Sequence, residues 1–216
     1  MSYRAPHATV RRAPKRAAYD EAAVHAVLDA GFVGQVAFVD GGRPVQVPML
    51  YGRDGAALLL HASPKSRFYR VLATGVACSL GVTFCDGLVL ARSAMHHAVN
   101  YRSAVVFGRC REVTDPAEKQ RAFAHFTDAV VPGRFAECRP MLAREAAVTG
   151  VLALTVEAAS AKVRTGGPHD DPADRDLAMW AGVVPMRTTY GEPVDADDLP
   201  GAYPPPASVA RLVAGG

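Results

Sequence analysis

The chain predicts a mainly β fold of the α+β class, an antiparallel sheet closed into a barrel with a few peripheral helices. Three observations predict it. Apolar, β-branched runs are joined by the hairpin signals Gly41-Gly42, Asp54-Gly55 and Asp86-Gly87. Helical stretches are too few for a regular alternation of strand and helix. The 216 residues are enough for one substantial core.

Taken in order, Asp20 caps an amphipathic helix that runs to Ala30, with Gly31 in the C′ position. Phe32 to Asp40 alternates as a strand, turns at Gly41-Gly42 and returns from Pro44 to Tyr51. Asp54-Gly55 leads into a third strand, Ala56 to His61. Ser63 suits an N-cap and Pro64 a first helical position, so a helix is expected from Pro64 to about Ala73. Val76 to Phe84 reads as a buried strand, Asp86-Gly87 as a turn, and Leu88 to Ser93 as the returning strand. Ser103 to Val113 is another strand. Asp115, Pro116 and Glu118 form a cap, a first-turn proline and a capping-box acid for a helix to about Val130. A short helix is expected over Arg139 to Ala147 and a long final strand over Gly150 to Val163. Beyond Thr165 glycine, proline and aspartate dominate, and only Asp176 to Val184 reads as ordered. Residues 200–216 read as an extended, Pro-rich tail on a single domain spanning 1–216.

Composition sets limits on function. Half the residues are hydrophobic, 21% are charged, and the net charge is +3, too small to imply nucleic-acid binding. Arg4, Arg11, Arg12, Lys15 and Arg16 fall in a basic arm, residues 1–16, that holds no acidic residue; a flexible tail or a strap across a partner subunit is expected. No signal peptide or membrane-spanning run is evident. Cys78, Cys85, Cys110 and Cys138 lack Cys-x-x-Cys spacing and read as reduced thiols of a cytoplasmic protein. His96 and His97 are adjacent, so in extended chain their rings point to opposite faces, and no third ligand accompanies them; no metal site is expected. No Gly-x-Ser-x-Gly elbow, phosphate-binding Gly-x4-Gly-Lys loop or Gly-x-Gly-x-x-Gly fingerprint occurs.

The segment His61-Ala62-Ser63-Pro64-Lys65-Ser66-Arg67 stands out. Acidic residues normally occupy the positive end of a helix, yet Lys65 and Arg67 fall in the expected first turn, an unfavourable placement of roughly 0.3–1 kcal/mol each. An anion such as a phosphate at that point accounts for the cations, hydroxyls and free N–H groups. A solvated surface turn accounts for them equally well.

Several segments, taken together and in order, resemble the pyridoxamine 5′-phosphate oxidase-like flavin-binding split barrels, in the branch of flavin-nucleotide-binding and nitroimidazole-resistance proteins. They are Val47-Pro48-Met49-Leu50-Tyr51, His61 to Arg67, Asn100 to Gly108, Ser160 to Arg164 and Trp180 to Pro185. The resemblance spans roughly Arg11 to Pro193. It implies a homodimer of split barrels with FMN in two interface clefts, and flavin-dependent oxidoreductase activity on a small molecule. FAD, F420 or haem are the alternative cofactors, and a non-catalytic flavin carrier or sensor is the alternative role.

Carried over by position, Gln46, Val47, Pro48, Met49 and Tyr51 match the strand beside the flavin ring. Pro48 lacks a ladder donor, as at a ligand-lined cleft or an ordinary edge. Ser63, Lys65, Ser66 and Arg67 match the phosphate corner. Thr83 follows on the next strand, and Tyr101, Arg102 and Ser103 match the segment that approaches the cofactor. Lys162 and Arg164 share a face of the last strand, to contact phosphate across the dimer or to cap a solvated strand end. Trp180 covers the cleft or packs in a core or interface. His61 aligns with a cleft histidine, where it meets flavin or donates a proton, or else pairs with backbone at a strand end.

Overall fold

The computed structural model describes residues 1–215. Its strands form one eight-stranded antiparallel sheet that closes on itself. The elements are β1 (Ala17–Ala18), α1 (Glu21–Leu28), β2 (Val33–Asp40), β3 (Arg43–Asp54), β4 (Ala57–Ala62), α2 (Arg67–Leu72), β5 (Ala77–Leu90), β6 (Ala98–Glu112), α3 (Pro116–Val130), α4 (Ala143–Val148), β7 (Gly150–Arg164), β8 (Gly182–Pro185) and α5 (Ala207–Ala214). Strands β7, β4, β3, β2, β5 and β6 follow one another around the barrel, and β6 pairs back onto β7. The first half of β7 pairs with β4, from Ala62↔Gly150 to Ala57↔Thr155, and its far end pairs with β1 at Ala17↔Lys162. β8 adds to the end of β5.

Alternation decides what each strand buries, because successive side chains point to opposite faces. Val36, Phe38, Leu58, Leu60, Leu80, Val82, Ala104, Val106, Leu152 and Leu154 fill the interior, joined by Val24, Val27 and Leu28 of α1. α3 covers the outer face over β4 and β7, where Ala122 and Phe126 meet Leu59, Val151 and Ala153. Gly52 permits that approach: a Cβ there would lie 3.1 Å from the backbone of His125. The turn glycines have left-handed φ where the hairpins need it, +56° and +75° at Gly41-Gly42 and +57° at Gly55.

The structure departs from the sequence expectations at six places, five of them in the secondary structure. α1 ends at Leu28, and Gly31 is not left-handed; it is small because the Phe84 ring passes 2.6 Å from where its Cβ would be. Asp86-Gly87 is no turn. β5 runs through it with a bulge between Cys85 and Gly87, because β6 is long enough to pair with both halves. α2 begins at Arg67, with Ser66 rather than Ser63 as its cap: Ser66 Oγ accepts from Tyr69 N at 3.2 Å. Glu118 does not fold back on its cap; its carboxylate accepts from the Arg111 guanidinium instead. Residues 207–214 form α5 where extended chain is expected. Glu137 holds its start, accepting from Ser208 N and its buried hydroxyl.

The basic arm is likewise held on its own barrel. Tyr3 is buried, its N–H donates to Tyr19 O at 2.8 Å, and Ala159 N donates to Tyr3 O at 3.1 Å. The expectation of a flexible tail therefore gives way to an ordered segment, since the arm's backbone finds partners on the barrel and its apolar residues find cover. The four cysteines are free, and Cys78 and Cys110 lie with sulfurs 3.9 Å apart in the interior. No helix among the described residues is long and apolar enough to cross a membrane.

Gly108 sits at the β6–β7 irregularity, where a Cβ would fall 1.9 Å from Thr155 O. Backbone cannot rotate away as a side chain can. Gly108→Ala is expected to destabilise the fold by about 3 kcal/mol or more, measured as a lower urea midpoint at unchanged slope.

Candidate functional site

The outward residues of the neighbouring strands form one strip. In register across it, Gln46 faces Ala37, which faces Ser79. One step along, Pro48 faces Gln35, Gly81 and then Val105. One step further, Leu50 faces Val33, and Thr83 faces Ser103, which faces Lys162. The strip is apolar in the main and open: Val33, Leu50 and Val105 are 47%, 40% and 38% exposed. Gly81 lies at its middle with nothing within 4 Å of an added Cβ, so the surface there is flat. Gln46 and Gln35 carry the nearby amides, with Gln46 Nε2 donating to Gln35 Oε1 at 3.3 Å.

Three clefts follow this strip. One of about 620 Å³ is lined by Asp40, Arg67 and Arg70 and shares Val39 with a second, of about 510 Å³, lined by Gln46 and Ser79. At the other end a cleft of about 1030 Å³ takes in Val33, Thr83, Phe84, Cys85, Asp86, Arg102 and the returning segment Met186 to Tyr190. A fourth cleft, about 300 Å³ between β3 and α3, lies outside the strip.

The structure brings together Gln46, Pro48, Thr83, Ser103 and Lys162 of the expected site residues, all outward on adjacent strands. Val47, Met49 and Tyr51 share the same strand but point inward. Val47 and Met49 pack on the core, and Tyr51 is buried with its hydroxyl donating to Leu28 O at 2.5 Å. Burial and the nearby Asp29 carboxylate push the Tyr51 phenol well above its ordinary pKa. Only the backbone of these three reaches the strip.

The Ser63–Arg67 turn stands at the foot of β4. Ser66 N donates to Ser63 O at 2.9 Å, and Lys65 N donates to Ser63 Oγ at 3.3 Å. Lys65 is exposed, while Arg67 is ion-paired with Asp40 from the β2–β3 hairpin. With α2 starting at Arg67, the cationic corner is made by side chains facing the Asp40 cleft rather than by a helix end at Pro64.

Arg102 grips Asp86 with Nε at 3.2 and 3.0 Å and Nη2 at 2.9 Å, and its guanidinium lies 5.2 Å over the Phe84 ring. It lines the largest cleft with its charge neutralised. Tyr101 lies between Cys85 and Arg164 in register. Arg164 is buried, bonded to Asn100 and to the carbonyls of Gly166 (3.4 Å) and Gly167 (3.2 Å), so within this chain it pins the turn after β7. Trp180 is 66% exposed and beside Gly182, which excludes the core placement. His61 sits under α3 with its ring 4.8 Å from that of Phe126, away from the strip. Gln35, Asp40, Ser79 and Gly81 were not anticipated. The outward alternation of β2 was legible, but which outward residues share a row depends on pairing register. Met186 to Tyr190 carried no signal, because their place depends on the return of the chain to β5 through β8.

Burial lowers the His61 pKa below the usual 6.5. The unfolded chain then takes up this proton first as pH falls. The stability contribution is full above about pH 6.5 and is lost as pH drops towards the folded value. The His61 ring is expected to titrate below 6.5 by NMR, and His61→Phe to reduce the loss of stability between pH 6.5 and 5. A midpoint at or above 6.5 would contradict this.

The family model described as pyridoxamine 5′-phosphate oxidase matches residues 20–163. The flavocytochrome Anf3 from Azotobacter vinelandii is 33% identical, covering 96% of this chain and 97% of its own, with a TM-score of 0.89. An FAD and haem binding protein from Mycobacterium smegmatis is 36% identical, covering 92% and 97%, with a TM-score of 0.87. A candidate 5-nitroimidazole antibiotic resistance protein from Bacteroides thetaiotaomicron is 18% identical over 68% of this chain and 86% of its own; its TM-score of 0.55 speaks to the fold. No curated protein matches the chain.

Proposed function

Because the chain belongs to the pyridoxamine 5′-phosphate oxidase family, we propose that it is a flavin-binding oxidoreductase acting on a small molecule. The observation that carries this reading is the outward strip: a flat, apolar surface centred on Gly81, flanked by amides and hydroxyls and ending at a cationic corner. A planar ring with a polar edge and a phosphate tail has those requirements. FAD is favoured over FMN, because the Mycobacterium smegmatis relative is described as binding FAD. Bound flavin supplies one- and two-electron transfer.

The chain's own residues bind and orient. Pro48 removes a donor from the strand beside the ring. Gln46, Thr83 and Ser103 offer hydrogen-bonding groups to the ring's heteroatoms, and Arg67 and Arg70 offer charge to the phosphate. The exposed apolar residues Val33, Leu50 and Val105 favour a second copy of the chain closing over the strip, as in a homodimer. Light scattering is expected to give twice the 22.8 kDa chain mass.

The relatives at 33% and 36% identity also favour a second reading, flavin together with haem. The largest cleft has room for a macrocycle, but no histidine lines it; its iron-binding side chain types are Cys85, Met186 and Tyr190. Flavin alone is therefore the main reading. The absorption spectrum of the purified protein separates the two: flavin bands without a Soret band support it, and a stoichiometric Soret band supports the second. Colourless protein that takes up no flavin overturns both.

The phosphate corner gives a paired test. Arg67→Ala removes a charge-assisted contact worth about 1.5–3 kcal/mol, so affinity for FMN or FAD is expected to fall about ten- to a hundredfold. Asp40→Asn removes the carboxylate that competes for Arg67 and is expected to tighten both. Riboflavin, which has no phosphate, is expected to respond to neither. Equal losses for riboflavin and FMN would place the phosphate elsewhere.

A further inference from the structure

The basic arm is a second cationic pole, on the far edge of the same face. Its five cations exceed the whole chain's net charge of +3, so the rest of the molecule is slightly acidic. Arg4 lies over the Tyr19 ring at 5.2 Å, but Arg11, Arg12, Lys15 and Arg16 are exposed, and none makes an ion pair among the described residues. Four like charges within six residues repel one another unless an anion joins them.

The cluster is held in place. Ala13, the only described non-glycine residue with left-handed φ (52°), turns the chain between the two cation pairs. Arg16 N closes the turn on Ala13 O at 3.0 Å, and Val10 N donates to Tyr19 OH at 2.8 Å. Arg16 leads directly into β1, whose Ala17 pairs with Lys162, which faces Ser103 and then Thr83. The arm thus stands about 14 Å from Thr83, three strand spacings along the sheet. Lys162 lies between them as a fifth cation on the face.

We propose that Arg11, Arg12, Lys15 and Arg16, with Lys162, form a binding site for the diphosphate of a nucleotide. The inference rests on the reading of the strip as a flavin site for its biological sense, though not for its test. A mononucleotide flavin anchored at Arg67, beside Asp40 at the end of β2, cannot also supply an anion at the opposite edge, about four strand spacings or roughly 19 Å away along the sheet. Nor can FAD, whose two phosphates are joined through one oxygen and lie together at that corner; a second nucleotide carrying reducing equivalents can. The chemistry recognised is a nucleoside diphosphate, and the source compatible with a flavin anchored at Arg67 is a pyridine dinucleotide.

ADP is the probe, because it carries the diphosphate without a flavin. Calorimetric titration of the full chain is expected to show ADP binding that weakens steeply with salt. The variant with Arg11, Arg12, Lys15 and Arg16 all changed to Gln is expected to lose at least tenfold in ADP affinity with an unchanged melting temperature. Arg121→Gln with Arg144→Gln, which removes two exposed cations elsewhere, is expected to have no effect. A loss for NADPH with both flavins unaffected assigns the diphosphate to the second nucleotide, and a loss for FAD with FMN unaffected contradicts that assignment. ADP binding that is absent from the wild-type chain, or equal in the arm variant, overturns the proposal. So does an arm that binds DNA but not ADP. Failure of the flavin reading is seen separately, as wild-type protein that binds ADP but neither FAD nor FMN.

Discussion

Closure of the sheet along β7 is the constraint on which the rest of the molecule depends. One fifteen-residue strand pairs with β4, β6 and β1, so the barrel's interior and exterior are defined together. Leu152 and Leu154 point inward from it, and with Leu58, Leu60, Leu80 and Val106 they make the inward rows wholly apolar and fully buried. A one-residue slip of any strand would turn these leucines to solvent and bury glutamine, serine and lysine. That penalty fixes which side chains face outward. The strip from Gln46 to Lys162 is a by-product of a core that tolerates one register only.

The outer face is then divided by what covers it. α3 takes the sector over β4 and β7, burying Phe126 against Leu59 and Val151 and drawing His61 beneath it. The N-terminal arm takes the sector over β6 and β7, where His7 meets the edge of Phe107 at 5.1 Å. β8 and the segment around Met186 take the end of β5. The sector over β2, β3 and the middle of β5 is left open, bounded by Arg67 on one side and by the basic arm on the other. A flat apolar surface between two cationic poles is unusual for a lone chain, since exposed valine and leucine side chains normally find cover. Flavin and a second subunit each supply that cover in the proposed reading.

Much of this architecture was legible in the sequence, and the physical reasons for success and failure are specific. Hairpins were found where the turn demands left-handed backbone, as at Gly41-Gly42 and Gly55. Asp86-Gly87 carries the same signal but is a bulge, because a long β6 keeps pairing on both sides of it. Local chemistry cannot report the length of a distant partner. The shift of the α2 start from Pro64 to Arg67 has a similar origin: two serines three residues apart both suit a cap, and the arrangement that buries Phe68 and Tyr69 selects the second. The resemblance located the strand from Gln46 to Tyr51, but alternation divides it into side chains that can meet a ligand and side chains that cannot. α5 was missed because what holds it is a single carboxylate, Glu137, seventy-one residues away.

The central claim is that the flat middle of the strip is where flavin lies, and Gly81 tests it most directly. A Cβ at Gly81 meets nothing within 4 Å and its backbone is not left-handed, so the fold itself has room for a larger side chain there. Flavin titration of Gly81→Leu, with the melting temperature measured in parallel, separates the site from the scaffold. The account predicts a loss of at least a hundredfold in flavin affinity while the apo-protein melts within a few degrees of wild type. Wild-type flavin affinity in Gly81→Leu would contradict it.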